Sequence, residues 1–283
     1  MKTKQVVREL LAVYKESSEK HLISKGDINR IKFVRPSQLP ICPVGVFISA
    51  ATFGALRMTD MVSSFYMEVG TAVHSVVQKY LGTSGRFLAT WQCRQCGKRH
   101  ELTTRHECCD FDMDYHEISI NHKGVIGHID AVFQDSEGRY WIVDFKTSSV
   151  KGIIYKEKNP GPVYKAQVRA YALMLWLQYG IRVAGVMLMF IKRDNPTEPK
   201  VWIKEMDDDD FAKAKKEMKG YKRMLKEVLA VATANEAIAL ARYGRCKNPY
   251  CRTCKLDISL KTQIRKAYQK GKEAHRLPLS ELQ

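Results

Sequence analysis

The chain has 283 residues, 45% of them apolar, and carries a formal charge of +17 from 47 Lys and Arg against 30 Asp and Glu. A chain of this length buries a core without covalent staples, so its eight cysteines are expected as metal ligands in a reducing, cytoplasmic setting, and not as disulfides. No run of about 18 apolar residues offers a membrane span, the N-terminus lacks the apolar segment of a signal peptide, and the charge favours a polyanionic partner through counterion release.

In chain order, residues 1–31 read as an amphipathic helix with Val6, Leu10, Leu11 and Tyr14 on one face, followed by a polar linker. The proline-rich stretch from Pro36 to Pro43 predicts a short turn that Ser37 can cap. Residues 59–81 predict a helix with Val69, Val73, Val76, Val77 and Tyr80 as its stripe and Gly82 near its end. Residues 91–116 are rich in Cys, His and charge and read as an inserted metal-bound module.

Val125 to Phe133 and Arg139 to Lys146 predict paired strands, joined by the turn Asp135-Ser136-Glu137-Gly138. Residues 162–179 predict a helix, and 183–191, nearly all apolar, a buried strand. Lys200 to Met206 predicts its hairpin partner. Residues 207–242 predict a long helix whose acidic first turn, Asp207 to Asp210, suits the positive end of the helix dipole. A second cysteine group spans 246–254, and the basic tail 259–283 includes a helical pattern from Lys261 to Arg276. The organisation expected is therefore an N-terminal helical segment (1–58), a core (59–90 and 117–243), the insertion (91–116), a cysteine segment (244–258) and the tail.

The segment Trp141-Ile142-Val143-Asp144-Phe145-Lys146 carries the chemistry. Residues two apart in a strand share a face, so Asp144 and Lys146 project together. A hairpin pairing brings Asp130, in Gly127-His128-Ile129-Asp130, beside Asp144. Two adjacent carboxylates repel unless a cation or proton lies between them, and magnesium favours such oxygen ligands together with phosphate and water. A strand-end ion pair is the competing explanation for Asp144 and Lys146 alone.

Four blocks stand in order: Gly70-Thr71-Ala72-Val73-His74, Gly127-x-Ile129-Asp130, Asp144-Phe145-Lys146 and Gln167-Val168-Arg169-Ala170-Tyr171. In this order they resemble the RecB-like branch of the PD-(D/E)XK nucleases, which includes AddB, CRISPR-associated and phage exonucleases, over about residues 37–255. The resemblance implies a restriction-endonuclease-like α/β fold with a mixed central sheet flanked by helices. It implies His74, Asp130, Asp144 and the Phe145 carbonyl as ligands of magnesium or manganese, Lys146 as catalytic lysine, and Gln167 and Tyr171 as a helix pair that orients the site and touches DNA. Glu117, just before the first strand, reads equally as a further member of the site or as a structural acid, and is left outside the catalytic set. It further implies DNA cleavage leaving a 5′-phosphate, by an exonuclease acting on ends or single strands in recombination, repair or phage DNA processing, with recombination or replication proteins as partners and the host cytoplasm as its place if phage-encoded. A non-catalytic DNA-binding subunit is the alternative.

Cys246, Cys251 and Cys254 are close enough to share one metal centre. The same resemblance supplies Cys42 as the fourth ligand and a 4Fe–4S cluster as the group, clasping the two ends of the core; zinc is the alternative. In the first group, Cys93-x-x-Cys96-Gly97 is a metal knuckle whose glycine permits the tight turn. Its return half draws on Cys108, Cys109 and His106, giving a structural zinc held by four of these five residues, with His100 a further option.

Overall fold

A computed structural model describes residues 5, 8–9, 12, 33–38, 42, 45, 61–105, 108–109, 112–192 and 197–231. The chain divides into two compact units: one of Val34–Pro40 and Glu68–Gly220, the other of Met1–Phe33, Ile41–Met67 and Tyr221–Gln283. Most of the helix expected over 1–31, together with His106, Cys246, Cys251, Cys254, residues 232–242 and the tail, lies outside the described residues; the half-buried Cys42 lies within them.

The first unit is a mixed α/β structure of the restriction-endonuclease-like kind. Its strands are β1 (Phe87–Cys93), β2 (Arg99–Thr103), β3 (Met113–His116), β4 (Ile118–His122), β5 (Val125–Ile129), β6 (Ala131–Gln134), β7 (Tyr140–Ser148), β8 (Gly185–Lys192) and β9 (Lys200–Glu205). Its helices are α1 (Met61–Gly82, entering the unit at Glu68), α2 (Val150–Lys158), α3 (Gly161–Tyr179) and α4 (Asp208–Val231, leaving it after Gly220). The main sheet runs β2-β1-β6-β7-β8-β9, with β3 also paired to β1; β4 and β5 form a separate two-stranded sheet. A one-turn 3-10 helix occupies Pro36–Gln38, within the stretch whose prolines predict a turn.

Strand β7 is central. It pairs antiparallel with β6 and parallel with β8, and its two faces serve different helices. Val143 and Phe145 pack, with Phe87, Ala131 and Ile191, against Val73, Val77 and Leu81 of α1. The opposite face carries Ile142, Asp144 and Lys146 and meets α3, since Gln167 bonds Asp144. Helix α3 is buried over the whole run Ala166–Leu175, because α4 closes its outer side through Trp176 against Phe211, ring centroids 5.2 Å apart, and through Arg169 on both oxygens of Glu217 at 2.9 and 3.0 Å.

The structure departs from the expected elements in two places. The strand predicted over Val125–Phe133 is broken at Asp130: β5 pairs with β4, while β6 pairs with β7. Helix α2 and strands β1, β2, β3 and β4 had no predicted counterpart. The segment after Trp91 grows directly from the main sheet, because β1 pairs with β6 at Phe87 and Leu88 and with β3 from Thr90 to Cys93. Among the described residues no helix is long and apolar enough to cross a membrane.

Candidate metal and phosphate site

The break at Asp130 creates the site. Ala131 lies opposite Val143 in the β6–β7 ladder, which brings Asp130 beside Asp144 at the point where the chain passes from the small sheet into the main one. Glu117 is the mirror case: it stands between β3 of the main sheet and β4 of the small one, and the Ile118–Ile129 pairing places it opposite Asp130. Two crossing points therefore deliver two carboxylates to one place. Helix α1 reaches it closely because Gly70 has no side chain: a Cβ there would lie 3.2 Å from Thr147 Oγ1 on β7.

His74, Glu117 and Asp130 each present a ligand atom, all within 4.8 Å of one another. His74 Nδ1 lies 3.7 Å from Asp130 Oδ2, and its ring meets Phe145 edge-on at 5.9 Å. The Phe145 N–H donates to Asp130 Oδ2 at 2.7 Å. Gln78 Nε2 donates to Glu117 Oε1 at 3.4 Å and to the Asp130 carbonyl at 3.5 Å, and the Tyr115 hydroxyl donates to the same carbonyl. Asp144 stands apart from the three-ligand group: Gln167 Nε2 donates to its Oδ1 at 3.0 Å and to the Tyr171 hydroxyl at 3.3 Å. Lys146 Nζ lies 2.6 Å from Asp144 Oδ2, so one oxygen of Asp144 faces Gln167 and the other faces Lys146.

The electrostatics follow from burial. Asp130 and Asp144 are only 7% and 1% exposed, too little for water to solvate two carboxylates. Burial, reinforced by the facing Asp144 charge, pushes the Asp130 carboxyl well above the ordinary range. Burial raises Asp144 as well, against the pull of the Lys146 ammonium. Burial works to deprotonate Lys146, but the Asp144 and Asp130 charges outweigh it, so the ammonium persists. Burial, and then the Lys146 charge, lower His74 and favour the neutral, metal-ligating imidazole. A neutral imidazole beside clustered, buried carboxylates suits a hard divalent cation.

The structure thus brings together Asp130, Asp144, Lys146, Gln167, Tyr171, His74 and Phe145, all singled out from sequence, and adds Glu117, Gln78 and Tyr115. Glu117 was legible as an acid just before a strand, open equally to a place in the site or a structural role.

The thiols form a second cluster. Cys93, Cys96, Cys108 and Cys109 hold their sulfurs within 4.8 Å of one another, with Cys96 and Cys109 each 3.8 Å from Cys108. The knuckle turns at Gly97, whose φ is 71° and whose N–H donates to the Cys93 carbonyl at 2.9 Å. Arg94 pairs with Asp114 at 2.7 Å and Arg105 with Asp112 at 2.9 Å, holding the two halves together. A backbone hydrogen bond at Lys98 draws the Cys96 thiol down to about 7, while burial pushes Cys108 up to about 12. Four adjacent thiolates repel without a cation, and four sulfurs are the donor set of a closed tetrahedral site. His100 is away from this set.

Comparison with known proteins gives a family match: the family model described as the PD-(D/E)XK nuclease superfamily matches residues 84–258. No curated protein sequence matches. Among solved structures the chain is similar to SSO0001, at 15% identity and a TM-score of 0.38 over 90% of this chain and 97% of that one. It is also similar to LHK-Exo in complex with dAMP, at 13% identity and 0.42 over 80% and 100%, and to the alkaline exonuclease LHK-Exo from Laribacter hongkongensis, at 14% and 0.37 over 76% and 96%.

Proposed function

Because this chain belongs to the PD-(D/E)XK nuclease superfamily, we propose that it is a magnesium- or manganese-dependent deoxyribonuclease whose reaction centre is the crossing of β5–β6 with β7. The observation that carries this reading is the buried pairing of Asp144 with Lys146 at 2.6 Å, beside a second buried carboxylate, Asp130.

His74, Asp130, Asp144 and the Phe145 carbonyl hold the cation in this reading, and Glu117 joins them as a ligand on the strength of its position. A divalent ion in such a site supplies a Lewis acid for the scissile phosphate and lowers the pKa of bound water. The residues do the rest. Lys146, kept protonated by its carboxylate neighbours, donates to a phosphate oxygen or orients the attacking water; it does not serve as the resting-state base. Gln167 fixes Asp144 through Oδ1 and leaves Oδ2 for Lys146 and the cation. Tyr171, its phenol held protonated by burial, fixes Gln167. Apolar packing of α1 and α3 on the two faces of β7 keeps these groups in place before substrate arrives.

We read the activity as exonucleolytic, in recombination, repair or phage DNA processing, from the RecB-like order of the four sequence blocks, with DNA as the partner suited to the +17 charge. The Cys93–Cys96–Cys108–Cys109 cluster takes a structural zinc in this reading, and Cys42, Cys246, Cys251 and Cys254 a 4Fe–4S cluster, tested by iron and sulfide analysis of anaerobically purified protein. The deciding experiment is digestion of end-labelled single- and double-stranded DNA with magnesium, manganese or EDTA, using wild type and Lys146→Ala. Metal-dependent cleavage lost in the variant supports the reading; equal cleavage by both proteins overturns it.

A further inference from the structure

Strand β7 ends at Ser148, and α2 begins two residues later with its own lysine-rich surface. Lys156 of α2 folds back along the helix to donate to the buried Ser148 hydroxyl at 3.1 Å. Its ammonium lies 5.5 Å from the centroid of the Tyr164 ring, and the Lys146 ammonium lies 5.4 Å from the same ring. Tyr164 thus gathers two cations. The two are not equivalent: Lys146 has Asp144 as its counter-charge, whereas among the described residues no carboxylate lies within ion-pair distance of Lys156. The adjacent Glu157 faces Lys200 instead, at 3.8 Å.

Two ammoniums drawn to one ring repel each other, and a ring quadrupole offsets only part of that repulsion. A second anion beside Lys156 would offset it, and the reaction in hand has a polyanion as its substrate. Resting on the nuclease reading above, we propose that Lys156, positioned by Ser148 and Tyr164, binds the DNA phosphate next to the scissile one, so that Lys146 and Lys156 grip consecutive phosphates of one strand. Lys156 fixes the register of the strand, and Lys146 acts on the bond to be broken. The ring is the shared anchor that holds both ammoniums, 5.4 and 5.5 Å from its centroid.

The test uses the full chain and a short single-stranded oligonucleotide, in wild type, Lys156→Met and Lys156→Arg. Met keeps the stem against Tyr164 and removes only the charge. Binding is measured against salt concentration, and cleavage of the same strand with and without one neutral methylphosphonate beside the cleaved bond. In Lys156→Met the slope of log affinity against log salt falls by about 0.7, the value for one single-strand phosphate contact, and KM rises by more than kcat falls. Arg restores both. The methylphosphonate weakens wild type but not Lys156→Met, because the contact it removes is already gone. An unchanged salt slope in Lys156→Met overturns the proposal, as does a methylphosphonate penalty of equal size in both proteins. If the slope falls as expected in Lys156→Met but wild type never cleaves, the phosphate contact stands and the nuclease reading falls.

Discussion

The carboxylate–lysine site stands where β6 meets β7, the thiol cluster where β1 ends at Cys93, and they are held in opposite ways. At the first, Asp130 and Asp144 are buried before any cation arrives, so the surrounding fold bears the cost of their desolvation. At the second, Cys96 and Cys109 are exposed, while Cys93 is buried and Cys108 half-buried in a small cluster with Trp91, Met113 and Tyr115. The fold holds the carboxylates inside a buried sheet, whereas two of the four thiols face solvent, where a bound ion would add most to the order of their loops. Removing a group from the first region should therefore damage chemistry more than folding, and removing one from the second should damage folding more than chemistry.

The largest effect expected is on catalysis. Lys146→Ala should lower kcat by about 10²- to 10⁴-fold, the range for loss of a positioned proton-handling or charge-stabilising group, with the circular dichroism spectrum unchanged. A loss of activity that merely tracked a loss of folded protein would erase the contrast between the two regions.

The thiol cluster should respond the other way. Cys96→Ser or Cys108→Ser should remove about one equivalent of bound zinc and lower the melting temperature by several degrees, at about 2–4 °C for each kcal/mol lost in a domain of this size. Cleavage per folded molecule should fall far less than in Lys146→Ala. Elemental analysis with calorimetry decides this, and zinc retained in full by either variant would show that the four sulfurs are not its ligands.

The same contrast explains what the sequence made legible. Asp144, Lys146, Gln167 and Tyr171 could be placed because each pair obeys a local period, two residues in a strand or four in a helix, and the structure brings the pairs together at Gln167 and Asp144. Glu117 could not, since its place depends on β3 and β4, short strands in a stretch whose cysteines and charges hide any alternation. The break at Asp130 was hidden for a related reason: Val125–Phe133 alternates as one strand would, and only the competition between two sheets for its halves divides it. Helix α2 is nine residues of mixed lysines and β-branched side chains, too short to declare a period. Local signals fixed identities, and non-local pairing fixed the junctions where the carboxylates meet.

A more moderate effect sharpens the comparison through pH. The folded protein holds the Asp130 proton more tightly than the unfolded chain does. In the absence of metal its carboxylate therefore opposes folding above the ordinary unfolded value of about 4, and the cost grows as pH rises toward the folded value. Asp130→Asn should melt above wild type at pH 8 in EDTA, and the gain should shrink as pH falls to about 4. Magnesium or manganese should raise the wild-type melting temperature and leave the variant unmoved, following the linkage between ligand binding and stability. A wild type indifferent to both metals would mean that no divalent ion relieves this carboxylate.

The smallest effect probes whether the two regions communicate. Tyr115 stands between them: its ring meets Trp91 edge-on at 5.2 Å, two residues from Cys93, and its hydroxyl donates to the Asp130 carbonyl. Tyr115→Phe keeps the ring and removes one hydrogen bond, worth about 1 kcal/mol. If that bond positions Asp130, the metal concentration for half-maximal cleavage should rise about fivefold, as 1.4 kcal/mol corresponds to a factor of ten, while kcat at saturating metal changes little. A change in melting temperature alone, with metal dependence intact, would mean that Tyr115 only packs the thiol-bearing strands, and that the cluster steadies the fold without tuning the carboxylates beside it.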